Sequence, residues 1–224
     1  MNPGEPKRTV VLQGLGVSPG VAIGVAHLIR RVDAPISRYQ LEDRSLVADE
    51  IRRFRKAIKD SENQLLEIKR KFKDQEGLET LYILDVHIMI LKDKMLIKQT
   101  IQNIEDKGVN AEWALRMTLD KYRDVFSKVD AEYLRERISD VEYAGQRILR
   151  NLAGVHHETL SGIGDNAIII ARDLSPADTM QMKVEKIQGF ATDMGGKTSH
   201  TTIVARAYEI PAVVGLEKIT SEAK

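Results

Sequence analysis

The sequence predicts an α+β protein of two subdomains, in which an α-helical bundle is inserted into a glycine-rich α/β unit. Residues 44–153 contain no proline, and charged and apolar side chains alternate through them at helical spacing. Both flanks are instead rich in glycine and in short runs of β-branched residues. We therefore assign residues 1–35 plus 154–224 to a discontinuous α/β subdomain and residues 36–153 to a helical subdomain.

Composition limits the class of protein. Of 224 residues, 42% are hydrophobic and 30% are charged, which is typical of a packed core with a solvated surface. The net charge of +1 gives no electrostatic argument for nucleic-acid binding, and the absence of cysteine excludes disulfides and thiolate chemistry. No apolar run approaches the ~20 residues of a membrane span, and the polar start lacks a signal-peptide core. We expect a soluble, cytoplasmic protein.

The first residues predict short strands joined by tight turns. Residues 9–12 (Thr-Val-Val-Leu) and 21–23 (Val-Ala-Ile) are β-type runs, and glycines stand between and after them.

Helical periodicity can be counted in the middle of the chain. Between residues 47 and 72, apolar side chains recur at steps of three, four or seven, with Ser61 at the skipped position. A second stripe covers residues 134–152 and skips a step at Gly145. Three more helices are expected at residues 78–91, 96–104 and 111–129. Short links between these segments predict an antiparallel bundle.

The last region alternates strands with helices, which predicts parallel strands. Ser175 followed by Pro176 is typical of an N-cap and first helical residue, and a second helix is expected at residues 198–207. Strands are expected at residues 167–171, 186–191 and 211–215.

The densest cluster of site candidates is Asp-Met-Gly-Gly-Lys-Thr-Ser-His at residues 193–200, between a predicted strand and a predicted helix. Glycines let the backbone turn tightly, and the free amides and positive dipole end of the helix suit a phosphate. The same positive potential disfavours a charged imidazolium, so His200 is expected as a neutral nucleophile. These residues predict a histidine that receives and passes on a phosphoryl group.

A purely structural interpretation of this turn remains open beside the phosphohistidine. Gly-Gly before a helix is common in α/β turns, and a histidine near a helix start often only makes a local hydrogen bond. A nucleotide-binding P-loop is excluded, because only its Gly-Lys-Thr tail is present, at residues 196–198.

The twelve residues from Gly195 to Arg206, followed by Ile-Pro-Ala-Val-Val-Gly at 210–215, resemble the phosphohistidine (swivelling) domain of phosphoenolpyruvate-utilising enzymes. Two further parts of the chain resemble Enzyme I of the sugar phosphotransferase system. Its opening strands are matched by residues 17–24, and its inserted helical subdomain is matched by residues 87–91 and 130–141. The resemblance implies phosphoryl transfer from phosphoenolpyruvate through a histidine to a histidine of the carrier HPr.

The resemblance also assigns roles within the α/β subdomain. His200 matches the phosphorylated histidine, and Ser175 matches a hydroxyl residue that hydrogen-bonds the unphosphorylated ring. Arg206, two turns into the helix, is expected to make a structural or interdomain contact. Asp193 either orients the turn through its carboxylate or caps it, and we favour the cap. The residues expected to shape the phosphate pocket are Gly195, Gly196 and Thr198.

The helical subdomain is expected to hold the HPr-docking face. For His87, contact with the carrier and simple burial beside a polar neighbour both remain open. The chain departs from the family pattern at Lys92, Lys94 and Met95, where acidic residues are usual, and at Thr80, which replaces a lysine. These changes indicate a carrier of different charge or a shifted docking mode. The matching partner residues are His87, Ile90, Leu91, Leu134 and Arg137.

Family members continue into a barrel domain that binds phosphoenolpyruvate and Mg²⁺ and forms a homodimer. We therefore expect this chain to be a monomeric fragment without a cofactor or metal site, unable to use phosphoenolpyruvate alone. Two alternatives remain: the swivelling domain of a pyruvate phosphate dikinase or phosphoenolpyruvate synthase, and a non-catalytic module regulated by phosphorylation of His200. The inserted helices argue against the first.

Overall fold

In a computed structural model, the chain divides into two compact units. The structure describes residues 9–29, 36–71, 78–127, 132–155, 162–197 and 199–223, with the side chains of 78–81, 127 and 132–137 outside the description. The α/β unit comprises Met1–Arg31, Leu160–Ser175 and Met182–Lys224; the helical unit comprises Val32–Thr159 and Pro176–Gln181. The segment Pro176–Gln181 thus groups with the helices, whereas its sequence position had placed it in the α/β subdomain.

The α/β unit is built on a five-stranded sheet. Its strand order is β1-β5-β4-β3-β2, and only the β1–β5 pair is antiparallel. The buried residues of the sheet form one apolar cluster with Leu174, Ala205 and Ile210. The strands are β1 (Leu15–Ser18), β2 (Val25–Ile29), β3 (Ala167–Ala171), β4 (Ile187–Thr192) and β5 (Ala212–Val214).

The three C-terminal strands lie where the sequence predicts them, but the two N-terminal predictions are wrong. Residues 9–12 and 21–23 are not strands; Val21 and Ile23 are almost fully exposed, and the strands begin at Leu15 and Val25. At the start of β2 and β3, the two backbones approach each other closely. A Cβ on Gly24 would lie 2.3 Å from the Asn166 carbonyl oxygen, which accepts the Val25 amide at 2.9 Å.

Five long helices form the helical unit. Their bounds agree with the predicted segments to within three residues: α1 (Val47–Lys71), α2 (Leu78–Leu91), α3 (Lys94–Lys107), α4 (Ala111–Ser127) and α5 (Glu132–Ala153). The short α6 (Pro176–Met180) contributes Ala177 to the same core. The α/β unit also contains α7 (His200–Ala207) and α8 (Ile219–Glu222). Among the described residues, no helix is both long and apolar enough to cross a membrane.

Both interruptions in the apolar stripes are contact points between helices. The buried Ser61 hydroxyl donates to the Ala57 carbonyl at 2.7 Å and accepts from Asn151 Nδ2 of α5 at 2.8 Å. A Cβ on Gly145 would lie 2.5 Å from Leu119 Cδ1 of α4, so glycine lets α4 and α5 approach closely. A skipped apolar step therefore marks a specific contact in each helix.

The start of α4 is fixed by a charged network. Arg53 donates through Nη1 to both carboxylate oxygens of Glu50 at 2.7 and 2.8 Å and through Nη2 to Glu112. Glu50 also accepts the Ala111 amide at 2.8 Å. Burial alone lowers the pKa of Arg53, but the hydrogen bonds and charges of the two carboxylates outweigh it and raise that pKa. Arg53 therefore stays charged and ties α1 to α4.

Candidate active site

The turn that precedes His200 is an extension of the sheet. Beyond β4, the amides of Asp193 and Met194 donate to the carbonyls of Ala171 and Arg172 at 3.1 and 2.9 Å, so pairing with β3 continues past the strand ends. Gly195 then reverses the chain at φ +116°, a conformation that favours glycine. A Cβ there would lie 3.1 Å from Ser199 Oγ and 3.3 Å from Val214 Cβ. The turn therefore requires a glycine at this position.

His200 is the first residue of α7, and Ser199 is its N-cap. The Ser199 hydroxyl accepts the Thr202 amide at 3.4 Å and lies 3.0 Å from Thr202 Oγ1. The carbonyl of Gly196 accepts from the Ser199 amide at 3.1 Å and from Thr202 Oγ1 at 2.7 Å. His200 is half-buried. The helix begins at residue 200 rather than 198, because residue 199 is the cap.

Asp193 has a different role from the predicted one. Its carboxylate accepts the Thr220 amide at 3.2 Å and the Thr220 hydroxyl, and its carbonyl accepts the Glu217 amide at 3.0 Å. It therefore holds α8 against the end of β4 instead of capping its own turn. This link was missed because Asp193 and Thr220 lie 27 positions apart in the sequence.

The far end of α7 is fixed to β1. Arg206 Nε donates to the Val17 carbonyl at 2.8 Å, and Ser18 Oγ donates to the Ala205 carbonyl at 3.4 Å. Arg206 is thus structural, as expected from its place two turns into the helix. The helix that carries His200 is therefore fixed at both ends.

The roles assigned to His200, Ser175 and the three phosphate-pocket residues all stay predictions. Ser175 is buried and directly precedes α6, and its hydrogen bond to His200 is not established by the described contacts. Thr198 lies outside the described residues.

The predicted docking residues on α2 divide into buried and accessible ones. The His87 ring is 3% exposed, its Nε2 lies 3.3 Å from Asp140 Oδ1, and its centroid is 6.0 Å from that of Tyr143. This geometry supports a buried histidine held by its neighbour over direct contact with a carrier. Leu91 is fully buried in the helical core, so its assignment as a partner contact is wrong.

Accessible surface on α2 lies at residues that sequence reasoning missed. Ile90 is half-buried, but Met89 beside it is 71% exposed and Tyr82 is 67% exposed. The helix is apolar on nearly all sides, so its sequence gives no signal for which side chains remain in solvent. Tyr82 and Met89 lie seven residues, or two turns, apart, so they share one exposed face of α2.

Two predicted docking residues and one departure fall outside the side chains that the structure describes. Leu134 and Arg137 lie on α5, and Thr80 lies on α2. No contact of these three side chains is described.

Lys92, one of the three departures from the family pattern, is engaged within the chain. Its Nζ lies 2.7 Å from Glu62 Oε1, and Lys59 Nζ lies 3.1 Å from Glu62 Oε2. The hydrogen bonds from Lys92 and Lys59 lower the pKa of Glu62. Lys92 is therefore ion-paired within the helical unit, and its effect on docking stays a prediction.

Comparison with known proteins agrees with this architecture. The family model described as PEP-utilising enzyme, N-terminal, matches residues 13–137, and the model of the PEP-utilising enzyme mobile domain matches residues 163–224. Proteins named phosphoenolpyruvate-protein phosphotransferase from Listeria innocua and Bacillus subtilis are each 36% identical over 210 and 209 residues, or 94% and 93% of this chain. The chain spans only 36% of the length of either protein.

Solved structures give the same result. The NMR solution structure of an Enzyme I protein (nEIt) matches with a TM-score of 0.77 and 40% identity, covering 96% of this chain and 86% of that one. The N-terminal domain of Enzyme 1 - Nitrogen matches with a TM-score of 0.60 and 25% identity over 95% of this chain and 86% of that one. The chain belongs to the PEP-utilising enzyme family. The resemblance to the N-terminal domain of Enzyme I is thereby confirmed.

Proposed function

We propose that this chain receives a phosphoryl group on His200 and transfers it to a histidine of an HPr-like carrier, as the first transfer of the sugar phosphotransferase system. The observation that carries the proposal is the place of His200, half-buried at the first position of a helix whose glycine turn and serine cap are both in place. Relatives named phosphoenolpyruvate-protein phosphotransferase support the same activity.

The proposed chemistry consists of two in-line displacements. A neutral ring nitrogen of His200 attacks the phosphorus of phosphoenolpyruvate, the N–P bond forms, and the bond to the enol oxygen breaks with departure of pyruvate enolate. The carrier imidazole next attacks the same phosphorus, and the N–P bond to His200 breaks. Each step exchanges one bond at phosphorus, so catalysis depends on positioning and on stabilising the transferring oxygens.

In this proposal, the structure around His200 supports both the positioning of the ring and the stabilisation of the transferring oxygens. The dipole of α7 favours negative charge beside its first residue. Gly195, Gly196 and Thr198 are proposed to surround the transferring oxygens. Ser175 is proposed to hydrogen-bond the ring in its unphosphorylated state.

The helical unit is the proposed docking partner of the carrier. Exposed Met89 and half-buried Ile90 on α2 offer apolar contact, and Leu134 and Arg137 on α5 are proposed contacts by resemblance. Phosphoenolpyruvate and Mg²⁺ binding and dimer formation are assigned, again by resemblance, to the barrel domain of longer family members. No step above uses a metal ion held by this chain.

Phosphoryl transfer from the carrier side tests the proposal directly. The chain is mixed with phosphorylated HPr, and the mass increase of one phosphoryl group and the imidazole phosphorus NMR signals are followed. We expect reversible labelling of the wild-type chain and none of His200→Ala. His27→Ala, in β2, is the matched control and is expected to label normally. Labelling of His200→Ala would refute the proposal, and binding without any transfer would favour a non-catalytic module.

A further inference from the structure

The link between α2 and α3 exposes an apolar surface. Met89 and Met95 on either side of the link are 71% and 67% exposed. Tyr122 of α4 reaches the same link, since its hydroxyl donates to Asp93 Oδ1 at 3.3 Å, and its ring centroid lies 6.3 Å from that of Phe126. We call Met89, Met95, Tyr122 and Phe126 the corner surface. Exposed methionines are adaptable contacts and are frequent at protein-binding surfaces.

The acidic groups around the corner surface are already engaged. Asp93 Oδ1 accepts the Leu96 amide at 2.7 Å as the cap of α3, in addition to the Tyr122 hydroxyl. Asp85 accepts Lys69 Nζ at 2.6 and 2.7 Å. Asp120 lies within 3.2 Å of both Arg116 and Arg123. Asp85 and Asp120 are therefore paired with cations inside the helical unit, whereas Asp93 is held by neutral donors and keeps its negative charge.

The positive charges beside the corner surface are not balanced in the same way. Lys94 and Lys98 are exposed one turn apart on α3, and Lys121 of α4 meets only the neutral Gln99 Oε1, at 3.1 Å. Within the described residues, none of these three lysines has a carboxylate at ion-pair distance, whereas Lys92 is held by Glu62. The corner surface is therefore bordered by three cations available to a partner.

We infer that the corner surface binds a phosphocarrier whose docking face has an apolar centre bordered by aspartate and glutamate. This inference rests on the proposed function and names the charge of its partner. Opposite charges on the two partners around an apolar contact increase the association rate and set the orientation of docking. Like charges on the two partners oppose association. Three separate lysines around methionine side chains fit such a protein face better than the continuous basic stripe that a nucleic acid needs.

The test compares two versions of one small phosphocarrier. One version has lysine or arginine at the positions flanking its phosphorylatable histidine, and the other has glutamate at the same positions. Both are first shown to be folded by circular dichroism. Association rates and Kd are measured against the wild-type chain at low and at high salt. We expect the glutamate version to bind about tenfold tighter at low salt, with the difference arising in association and shrinking as salt rises.

A charge-reversed chain locates the effect. Lys94→Glu with Lys98→Glu is expected to reverse the preference, so that the basic version of the carrier binds better. The control, Lys107→Glu with Lys183→Glu, changes the net charge equally; Lys107 ends α3, roughly 20 Å along the helix from Lys94. We expect the control to retain the wild-type preference.

Several outcomes would overturn the inference. They are tighter binding of the basic carrier by the wild-type chain, binding of neither carrier, and equal loss in the charge-reversed chain and its control. Heparin competing equally with the acidic carrier would indicate a general polyanion site and would also overturn it. Labelling of His200 is read separately: if either carrier labels it, the proposed function stands even when the charge preference is wrong.

Discussion

The turn before His200 and the corner surface are held by different kinds of contact. At the start of α7, the Ser199 and Thr202 hydroxyls and the Gly196 carbonyl, all within six positions of one another, form the cap, and the turn before it is also paired with the end of β3. At the corner surface, the Tyr122–Asp93 contact joins α4 to the cap residue of α3 across 29 positions of the chain. The start of the helix that carries His200 is thus capped by local contacts, whereas the proposed recognition of a partner depends on how the helices pack.

This difference predicts separable effects of substitution. Changes in the turn should alter phosphorylation of His200 without altering the charge preference for a carrier. Changes at the corner surface should alter the carrier preference while His200 remains chemically competent. The variants below are ordered by the size of the expected effect.

The largest effect is expected from Gly195→Val. The residue has φ +116°, and its Cβ would crowd Ser199 and Val214, so the turn must move and displace His200. We expect labelling by phosphorylated HPr to slow by about 100-fold, since small displacements of a reacting group have effects of that order. Stability should fall by about 1–3 kcal/mol, measured by urea unfolding.

Gly164→Val is the control for this change. A Cβ at Gly164 meets nothing within 4 Å, and its labelling rate should match that of the wild-type chain. Normal labelling of Gly195→Val would show that the turn tolerates a side chain and that its glycine has no role in positioning.

A smaller effect is expected at Ser199. Ser199→Ala removes the cap of α7 and should lower stability by about 1 kcal/mol, seen as a reduced Tm. Ser199→Asp restores a cap acceptor and should recover the Tm, but its charge adjoins the phosphorylated ring. We therefore expect Ser199→Asp to shift the phosphoryl equilibrium several-fold toward the carrier. An aspartate variant that is phosphorylated as fully as the wild-type chain would contradict placement of the phosphoryl group near this cap.

The smallest effect is expected at Glu62, beside the corner surface. Its lowered pKa means that the carboxylate stabilises the fold above its unfolded pKa of about 4.3, and that this contribution disappears as pH falls through the folded pKa. Glu62→Gln should lower Tm by about 1–2 °C at neutral pH. The difference from the wild-type chain should vanish in acid.

Glu67→Gln, an exposed change on the same helix, is the control and should leave Tm nearly unchanged. A Tm difference for Glu62→Gln that stays constant from neutral to acid pH would show that the Lys59–Glu62–Lys92 contacts do not stabilise the fold.

The parts that could be predicted from sequence are those governed by local rules. The helices follow from apolar periodicity, and the place of His200 follows from a glycine turn and a serine cap. The two N-terminal strands were misplaced because their positions depend on pairing with strands far away in the chain, which β-propensity does not specify.

The docking face was predicted less well for a related reason. Leu91 and Met89 are both apolar residues of one helix, yet one is fully buried and the other is 71% exposed. Periodicity cannot separate them, because α2 is apolar on almost every side. Engagement of Lys92 by Glu62 likewise depends on how α1 packs against the end of α2, which no local pattern specifies.

The pairing of β1 with β5 has a consequence for biosynthesis. Leu15 pairs with Val214, so β1 leaves the ribosome about two hundred residues before β5, which is its only neighbour among the described strands of the sheet. The intervening helices have mostly local contacts and can form before then, while β1 remains without its hydrogen-bonding partner. The helix that carries His200, which is anchored to β1 through Arg206 and Val17, therefore reaches its final position only after β5 has been synthesised.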